Sequence, residues 1–211
     1  GGLVGSSSGM VNNSHVEGAI VNTGGETGGL VGNNTGLVSR AYAKVAINAA
    51  NKTGGFVGTN GTNGKIKHAY SNGDVIGVDK VGGFVGEALA NSKIYKSYTL
   101  ATVLSSGTTD QGGFVGLNAG TIDTENFYNT TPGGLNSSST AGTGKTVVLL
   151  ANKSIFKNWD LKTIWGMPAG STPLLRNAGV KSALDAIDLQ VGQDTPATIK
   201  FTWSKDSSST N

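Results

Sequence analysis

Apolar residues recur along the first part of the chain in blocks that are bracketed by glycine. The block Gly-Gly-(Leu or Phe)-Val-Gly begins at Gly1, Gly28, Gly54, Gly82 and Gly112, so successive copies lie 27, 26, 28 and 30 residues apart. Each block is followed by an apolar residue, two variable residues, a small residue and usually Tyr, as at residues 66–70. A unit this short cannot bury its own apolar face, and a period of about 20 to 50 residues is typical of a solenoid whose neighbouring units bury one another.

Short stretches rich in Val, Ile, Thr and Tyr lie around these blocks, at residues 45–47, 75–78 and 99–104, and they are typical of strands. Glycine or asparagine interrupts every window long enough for a three-turn helix within residues 1–130. Three short strands per unit predict an all-β fold, a right-handed parallel β-helix (β-solenoid) of about five coils with a C-terminal capping segment. Five coils at about 4.8 Å each span about 24 Å.

In such a stack, equivalent positions of the block form columns. One column comprises Leu3, Leu30, Phe56, Phe84 and Phe114, and its neighbour comprises Val4, Val31, Val57, Val85 and Val115. Adjacent side chains of a strand point to opposite faces, so both columns can be buried only if the chain bends there. Because glycine permits positive φ and a close backbone approach, we interpret the flanking glycines as corners between sheets and not as ligand loops.

Composition divides the chain into three parts. Residues 1–131 hold the glycine-bracketed solenoid repeats, and residues 132–178 are predicted to form a loop and a C-terminal cap. Within that cap we expect an exposed loop at residues 133–144, a short helix within residues 146–156, and Trp159 and Trp165 over the open end of the last coil. Residues 179–211 are predicted to hold the start of a following module, with possible strands at residues 186–191 and 197–203, and a disordered tail from residue 204.

Charge and composition exclude several classes of function. The formal net charge is +3, and the lysines are scattered among Ser, Thr and Asn, which argues against a nucleic-acid surface. The absence of cysteine excludes disulfides, thiolate zinc sites and a cysteine nucleophile. The longest apolar run, residues 147–151, is far too short to span a bilayer. Because the sequence opens inside a repeat and without an initiator Met, we expect it to be a piece of a longer polypeptide.

Residues 141–146, Ala-Gly-Thr-Gly-Lys-Thr, resemble a phosphate-binding loop. The spacing fails, because Ser139 stands where the first glycine is required and no buried strand precedes the loop. His15 and His68 are too few for a catalytic zinc site, and we expect both on the surface. In the repeat alignment His68 precedes the Ala-Tyr pair whereas His15 replaces the Tyr, so the two are not expected to stack.

Carboxylates are the remaining candidates, since hydrolases that use a β-helix need two carboxyl groups facing one glycosidic bond. The candidates are Asp74 and Asp79 in one coil and Asp110 and Asp123 in another. None of them forms a paired acidic motif, and the calcium-binding nonapeptide repeat is absent. The sequence therefore predicts no catalytic residue, no metal site and no cofactor, and it leaves the ligand-binding residues unknown.

The Gly-Gly-(Leu/Phe)-Val-Gly unit with a downstream Ala/Ser-Tyr resembles the GLUG motif of large bacterial surface proteins, and it covers residues 1–130 in five copies. Residues 156–160, 165–166 and 173–175 resemble the segment that closes such repeats. Members include filamentous-haemagglutinin-like adhesins exported by two-partner secretion and the non-catalytic regions of IgA-specific metalloproteases. The resemblance implies an extracellular location on the bacterial cell surface and passage through an outer-membrane transporter, and it transfers no functional residue.

These observations predict a non-enzymatic segment of a secreted adhesin involved in virulence. It would act as a rigid stalk, as a binding surface for a host cell, glycan or extracellular matrix, or as both. The alternative is a polysaccharide-active β-helix enzyme or an accessory region of a secreted protease. Two carboxylates facing each other across a groove, about 5 to 10 Å apart, would favour that alternative.

Overall fold

The computed structural model describes residues 1–107, 110–137, 139 and 141–176, which form a nearly all-β solenoid. Sheet 1 contains β1 (Val4–Ser7), β5 (Val31–Asn34), β8 (Val57–Asn60), β12 (Val85–Ala88) and β17 (Val115–Asn118). Sheet 3 contains β4 (Thr27–Gly28), β7 (Asn51–Gly54), β11 (Asp79–Gly82) and β16 (Gln111–Gly112).

Sheet 2 is the widest sheet and has eleven strands. They are β2 (Met10–Asn12), β3 (His15–Val21), β6 (Leu37–Asn48), β9 (Lys65–Asn72), β10 (Asp74–Gly77), β13 (Lys93–Tyr95), β14 (Tyr98–Thr99), β15 (Thr102–Ser105), β18 (Thr121–Ile122), β19 (Phe127–Asn129) and β20 (Thr143–Lys145). The C-terminal segment adds two 3-10 helices (Gly134–Ser137 and Lys153–Ile155), helix α1 (Val147–Leu150) and an antiparallel pair, β21 (Trp165–Gly166) and β22 (Leu174–Leu175).

Every pairing within sheets 1, 2 and 3 is parallel and joins equivalent residues of successive units. Val57, for example, lies in register with Val31 on one side and with Val85 on the other. The five strands of sheet 1 give five rungs, which correspond to about four turns of the chain. The predicted parallel β-solenoid is therefore confirmed, whereas its right-handed winding stays a prediction from strand twist.

The two predicted columns line the interior. Phe56, Phe84 and Phe114 stack with ring centroids 4.9 and 5.0 Å apart, and they are fully buried together with the valines beside them. Only the first rung departs from this, because Leu3 is 49% exposed. Both columns face inward because the chain bends at residues 55–56, between β7 and β8. The bend predicted from the glycines is confirmed.

Of the two properties of glycine that the prediction named, close backbone approach is confirmed and positive φ is not. The glycines of the repeated block do not have a positive φ. A Cβ on Gly54 would lie 2.0 Å from the carbonyl oxygen of Val57, and a Cβ on Gly55 would lie 2.2 Å from that of Gly83 in the next coil. Close packing of backbone on backbone, rather than left-handed geometry, therefore requires glycine at these positions.

Left-handed residues other than glycine occur in the second half of the unit, and others occur just before the block. In β9 the inward-facing residues are Ile66 and then Ala69, with His68 between them at a φ of 54°. A single left-handed residue thus shifts the inward-outward alternation by one position, as a bulge does. This shift explains the second half of the unit, which consists of an apolar residue, two variable residues, a small residue and Tyr. The small residue faces the core at the corner, and the following Tyr faces outward.

Asn136, Ser139 and strand β20 pack onto the last coil, so the exposed loop predicted for residues 133–144 is wrong at these residues. Asn136 is fully buried, accepts a hydrogen bond from Val103 N–H and donates one to Ala101 O, both at 2.8 Å. Ser139 Oγ accepts hydrogen bonds from the backbone N–H groups of Phe114 and Val115. With β20 paired to β19, these residues form a partial further rung that covers the last coil.

The tryptophan segment covers the flank of the solenoid, not its end as predicted. Trp159 and Trp165 lie 6.2 and 6.0 Å from the Tyr98 ring, on the outer face of sheet 2. The Tyr98 hydroxyl donates to Pro173 O at 2.6 Å. The tyrosines point outward, so they leave an apolar strip that needs a cover, and the end of the coil is already occupied by Asn136, Ser139 and β20.

The predicted helix at residues 146–156 is reduced to α1, one turn that Thr146 caps by accepting a hydrogen bond from Leu149 N–H. In the described part of the chain no helix combines the length and apolar character needed to cross a membrane. The possible strands at residues 186–191 and 197–203 and the predicted tail lie outside the described residues. The division of the chain at residue 131 stays a prediction.

Candidate binding groove

The four candidate carboxylates belong to different parts of the solenoid. Asp74 begins β10 in sheet 2 and is exposed, whereas Asp79 begins β11 in sheet 3. Asp110 directly precedes β16. Asp123 is half-buried, which raises the pKa of its carboxyl, and it accepts hydrogen bonds from the Glu125 N–H and the Asn126 side chain. Asp123 therefore stabilises a turn, and among the described residues no three His, Asp or Glu side chains form a group that could hold a metal.

The loop at residues 141–146 has no phosphate-binding geometry. Its Thr143–Lys145 portion is strand β20, and its final threonine is the cap of α1.

An ionic cluster that the sequence analysis missed lies beside the bend between sheets 3 and 1. Glu87 is 6% exposed, and its two carboxylate oxygens contact Lys80 Nζ at 2.6 Å and Lys52 Nζ at 3.2 Å. Burial opposes ionisation of Glu87, but the hydrogen bonds from Lys80 and Lys52 outweigh it and hold the pKa below its ordinary value. Since all three charges are paired within the cluster, its role is to stabilise the fold.

A column of mostly basic residues lies on sheet 2. Asn13, Arg40, His68 and Lys96 occupy equivalent positions of successive coils, and their φ angles are 50°, 49°, 54° and 46°. The same backbone conformation recurs beside sheet 3 at Glu26, Lys52, Lys80 and Asp110, so it belongs to the corner geometry of the solenoid. What distinguishes the sheet 2 column is that three consecutive coils carry a basic side chain there.

Arg40 and His68 of this column line a cavity of about 300 Å³, which we call the basic groove. Sheet 2 supplies most of its walls, and the C-terminal segment supplies Ile164. The lining residues are Met10, Asn12, Leu37, Ser39, Arg40, Lys67, His68 and Ile164. The groove therefore combines two unit positive charges and an imidazole with hydroxyl, amide and apolar side chains.

The two histidines have different surroundings. His15 is exposed and stacks on Tyr42 with ring centroids 4.8 Å apart, in the position that Tyr takes in other coils, as predicted. The prediction of a surface position is wrong for His68, which is half-buried against the C-terminal segment. Burial lowers the pKa of His68 to about 4, with further repulsion from Lys96, Lys67 and Arg40, while Asp160 acts in the opposite direction.

Most charges around the groove already have partners, and two do not. Lys96 donates to the carbonyl oxygen of Asn158, and Asp160 is held by Thr163 and by the N–H of Lys162. Within the described part of the chain, the side chains of Arg40 and Lys67 have neither an ion pair nor a hydrogen bond. His68 Nδ1 is buried without a hydrogen-bond partner among those residues.

A model of the GLUG motif matches residues 49–76, which span β7, β8, β9 and most of β10. The matched stretch is thus one complete coil. The chain carries a GLUG repeat region. The basic residues of the groove lie at the two variable positions of the second half of the GLUG unit, as in Lys67-His68. Aligning those positions across the units is the sequence signal that could have revealed the groove.

No curated protein and no solved structure matches the chain.

Proposed function

We propose that the chain is a non-enzymatic segment of a secreted bacterial cell-surface adhesin, serving as a rigid stalk and as a binding surface. The observation that carries the proposal is the GLUG repeat region folded as one uninterrupted solenoid. The GLUG motif is consistent with a repeat region of a surface protein. Host cells, glycans or matrix are the proposed partners, on the outside of the bacterium and after export through an outer-membrane transporter.

Rigidity follows from the way each coil is joined to the next. Backbone hydrogen bonds between coils satisfy the strands, and Phe and Val columns pack continuously along the axis. Buried polar groups add further links, as Asn34 Nδ2 donates to Asn60 Oδ1 of the next coil at 2.8 Å. A stalk needs this resistance to bending and to proteolysis.

The binding part of the proposal depends on the groove. It gathers donors whose side chains are unpartnered within the described chain, and it is open to solvent beside the exposed Met10. Donors of this kind contribute little to folding and are available to a ligand.

Adhesion of beads coated with the full 211-residue chain to epithelial cells and to a glycan array tests this proposal. We expect saturable adhesion, and we expect a coil-disrupting control, Gly54→Val, to abolish it because the new side chain would collide with Val57 O. Absence of adhesion to cells and glycans would contradict the binding role.

The same preparation should be incubated with a panel of polysaccharides. Release of reducing ends that is abolished by one of Asp74→Asn, Asp79→Asn, Asp110→Asn or Asp123→Asn would contradict the non-enzymatic role and favour the polysaccharide-active alternative.

A further inference from the structure

We propose that the basic groove binds an acidic saccharide, a sugar that bears a carboxylate or a sulfate, with Arg40 and Lys67 as the ligands of the anionic group. This inference rests on the proposed function, because it names the class of ligand for the proposed binding surface.

The first support is the pattern of charge. Like charges brought together on consecutive coils repel one another, and such an arrangement is unfavourable unless an anion compensates it. One coil along, the equivalent Lys96 is bound by the C-terminal segment, whereas Arg40 and Lys67 are left without a partner among the described side chains. An anionic group from outside the chain would supply the missing partner, and Arg offers it a planar pair of N–H donors.

The second support is the state of His68. A buried polar nitrogen without a hydrogen bond is costly, and such atoms are rare in folded proteins. Burial is the main reason that the imidazole is neutral, and repulsion from Lys96, Lys67 and Arg40 adds to it. An anion placed between Arg40 and Lys67 would offset the repulsion from those two charges and could accept a hydrogen bond from the ring. We therefore expect binding to raise the pKa of His68, assisted by Asp160 and opposed by burial and by Lys96.

The third support is the rest of the lining, which fits a sugar better than an inorganic ion. The volume of about 300 Å³ exceeds that of a bare sulfate and suits one sugar ring. Ser39 Oγ donates to Asn12 Oδ1 at 2.7 Å, which leaves the Asn12 NH₂ group as a donor for a ring hydroxyl. Leu37, Met10 and Ile164 supply apolar surface for the C–H face of the ring. Among the described residues, the groove lining contains no Phe, Tyr or Trp on which a nucleic-acid base could stack.

Calorimetric titration of the full chain tests the ligand class. The probes are a sialylated trisaccharide, a sulfated disaccharide, the uncharged disaccharide of the same sugars, inorganic sulfate, and an oligoglutamate peptide. We expect at least one charged saccharide to bind about tenfold or more tightly than the uncharged sugar, and the two charged probes identify carboxylate or sulfate as the anion. Equal binding of the uncharged sugar, or tighter binding of sulfate alone or of the peptide, would overturn the proposal.

Variants locate the site. Arg40→Asn removes the charge and suits the left-handed backbone, because Asn13 occupies the same column. Lys67→Gln removes the second charge, and Lys65→Gln is its matched control, an exposed lysine of the same strand that does not line the groove. We expect about tenfold weaker binding for the first two and a change within about twofold for the control. Equal losses for Lys65→Gln and Lys67→Gln would indicate diffuse surface charge and overturn the site.

Proton uptake by His68 on ligand binding is a measurement that would not change if the groove residues had only a structural role. In an NMR titration, saturation with the charged saccharide should raise the pKa of His68. An unchanged His68 would contradict the assignment.

Cell adhesion by the same variants separates the two proposals. If Arg40→Asn and Lys67→Gln leave adhesion intact, the groove is refuted as the binding site and the adhesin proposal stands. If the groove binds a saccharide but the chain does not adhere to cells, the adhesin proposal is refuted and the groove stands.

Discussion

The interior of the solenoid and its tyrosine flank, the row of Tyr side chains on the outer face of sheet 2, are both apolar. The two regions are built in different ways. The interior repeats one residue type per column, so each coil buries the next, as in the Phe56, Phe84 and Phe114 stack. The flank begins as a repeat of stacked tyrosines and is then covered by side chains from outside the repeat, including Trp159 and Trp165. Each further repeat thus extends the interior core, whereas the flank is covered by a single C-terminal segment that does not carry the repeat.

The largest expected effect is in the interior. Phe84→Ala leaves a cavity between Phe56 and Phe114 and should lower the free energy of unfolding by about 3 to 5 kcal/mol. Urea unfolding followed by circular dichroism measures this. Phe84→Leu is the matched control, because Leu30 fills the same column in another coil, and it should cost clearly less. A loss of less than about 1 kcal/mol for Phe84→Ala would mean that the stacked column does not join the coils.

Trp165→Ala should have a smaller and local effect. Trp165 is fully buried in the flank, so truncation should weaken docking of residues 156–175 by about 3 kcal/mol and leave the solenoid folded. Hydrogen exchange should show faster exchange in that segment and unchanged protection in sheet 1. Trp165→Phe is the control, and it should be milder because the indole N–H has no hydrogen-bond partner in the described chain. Simultaneous loss of protection in sheet 1 would abolish the distinction between the two regions.

The smallest effect concerns the ionic cluster at the rim of the interior. Glu87→Gln leaves Lys52 and Lys80 without their shared carboxylate, and because these lysines are partly exposed we expect a loss of about 1 to 2 kcal/mol. The pKa of Glu87 is lowered in the folded state, so its stabilising effect is present above the ordinary pKa of 4.5 and is lost as the pH falls through the folded value.

Thermal unfolding across this acidic range measures the pH dependence. The difference in melting temperature between wild type and Glu87→Gln should therefore become smaller as the pH is lowered. Glu17→Gln, which breaks an exposed pair with Lys44, is the control and should leave the melting temperature unchanged. A difference that is constant with pH would show that the charge of Glu87 is not involved.

The sequence predicted what the period controls. The parallel stack, both buried columns and the bend at residues 55–56 follow from identical residues at a fixed spacing. The flank could not be predicted in the same way, because the direction of Tyr98 depends on a left-handed residue two positions earlier, and nothing in the residue type of Lys96 indicates that conformation. Likewise, a Ser- and Gly-rich composition suggested an exposed loop, but Asn136 and Ser139 satisfy backbone groups of the last coil.

The candidate site was missed for a related reason. Its charges come from positions that vary between units, so no residue type recurs there from one copy of the repeat to the next. Arg40 and His68 are 28 residues apart in sequence and become neighbours only through the register of β6 with β9.

The tyrosine ladder also gives the molecule an optical property. Tyr70 and Tyr98 lie 6.3 and 6.0 Å from the Trp165 ring, close enough for resonance transfer of excitation energy from phenol to indole. Light absorbed along the ladder should consequently emerge as tryptophan fluorescence while the C-terminal segment is docked, and tyrosine emission should return when it detaches. The intrinsic fluorescence of the protein should thus report whether the C-terminal segment is docked.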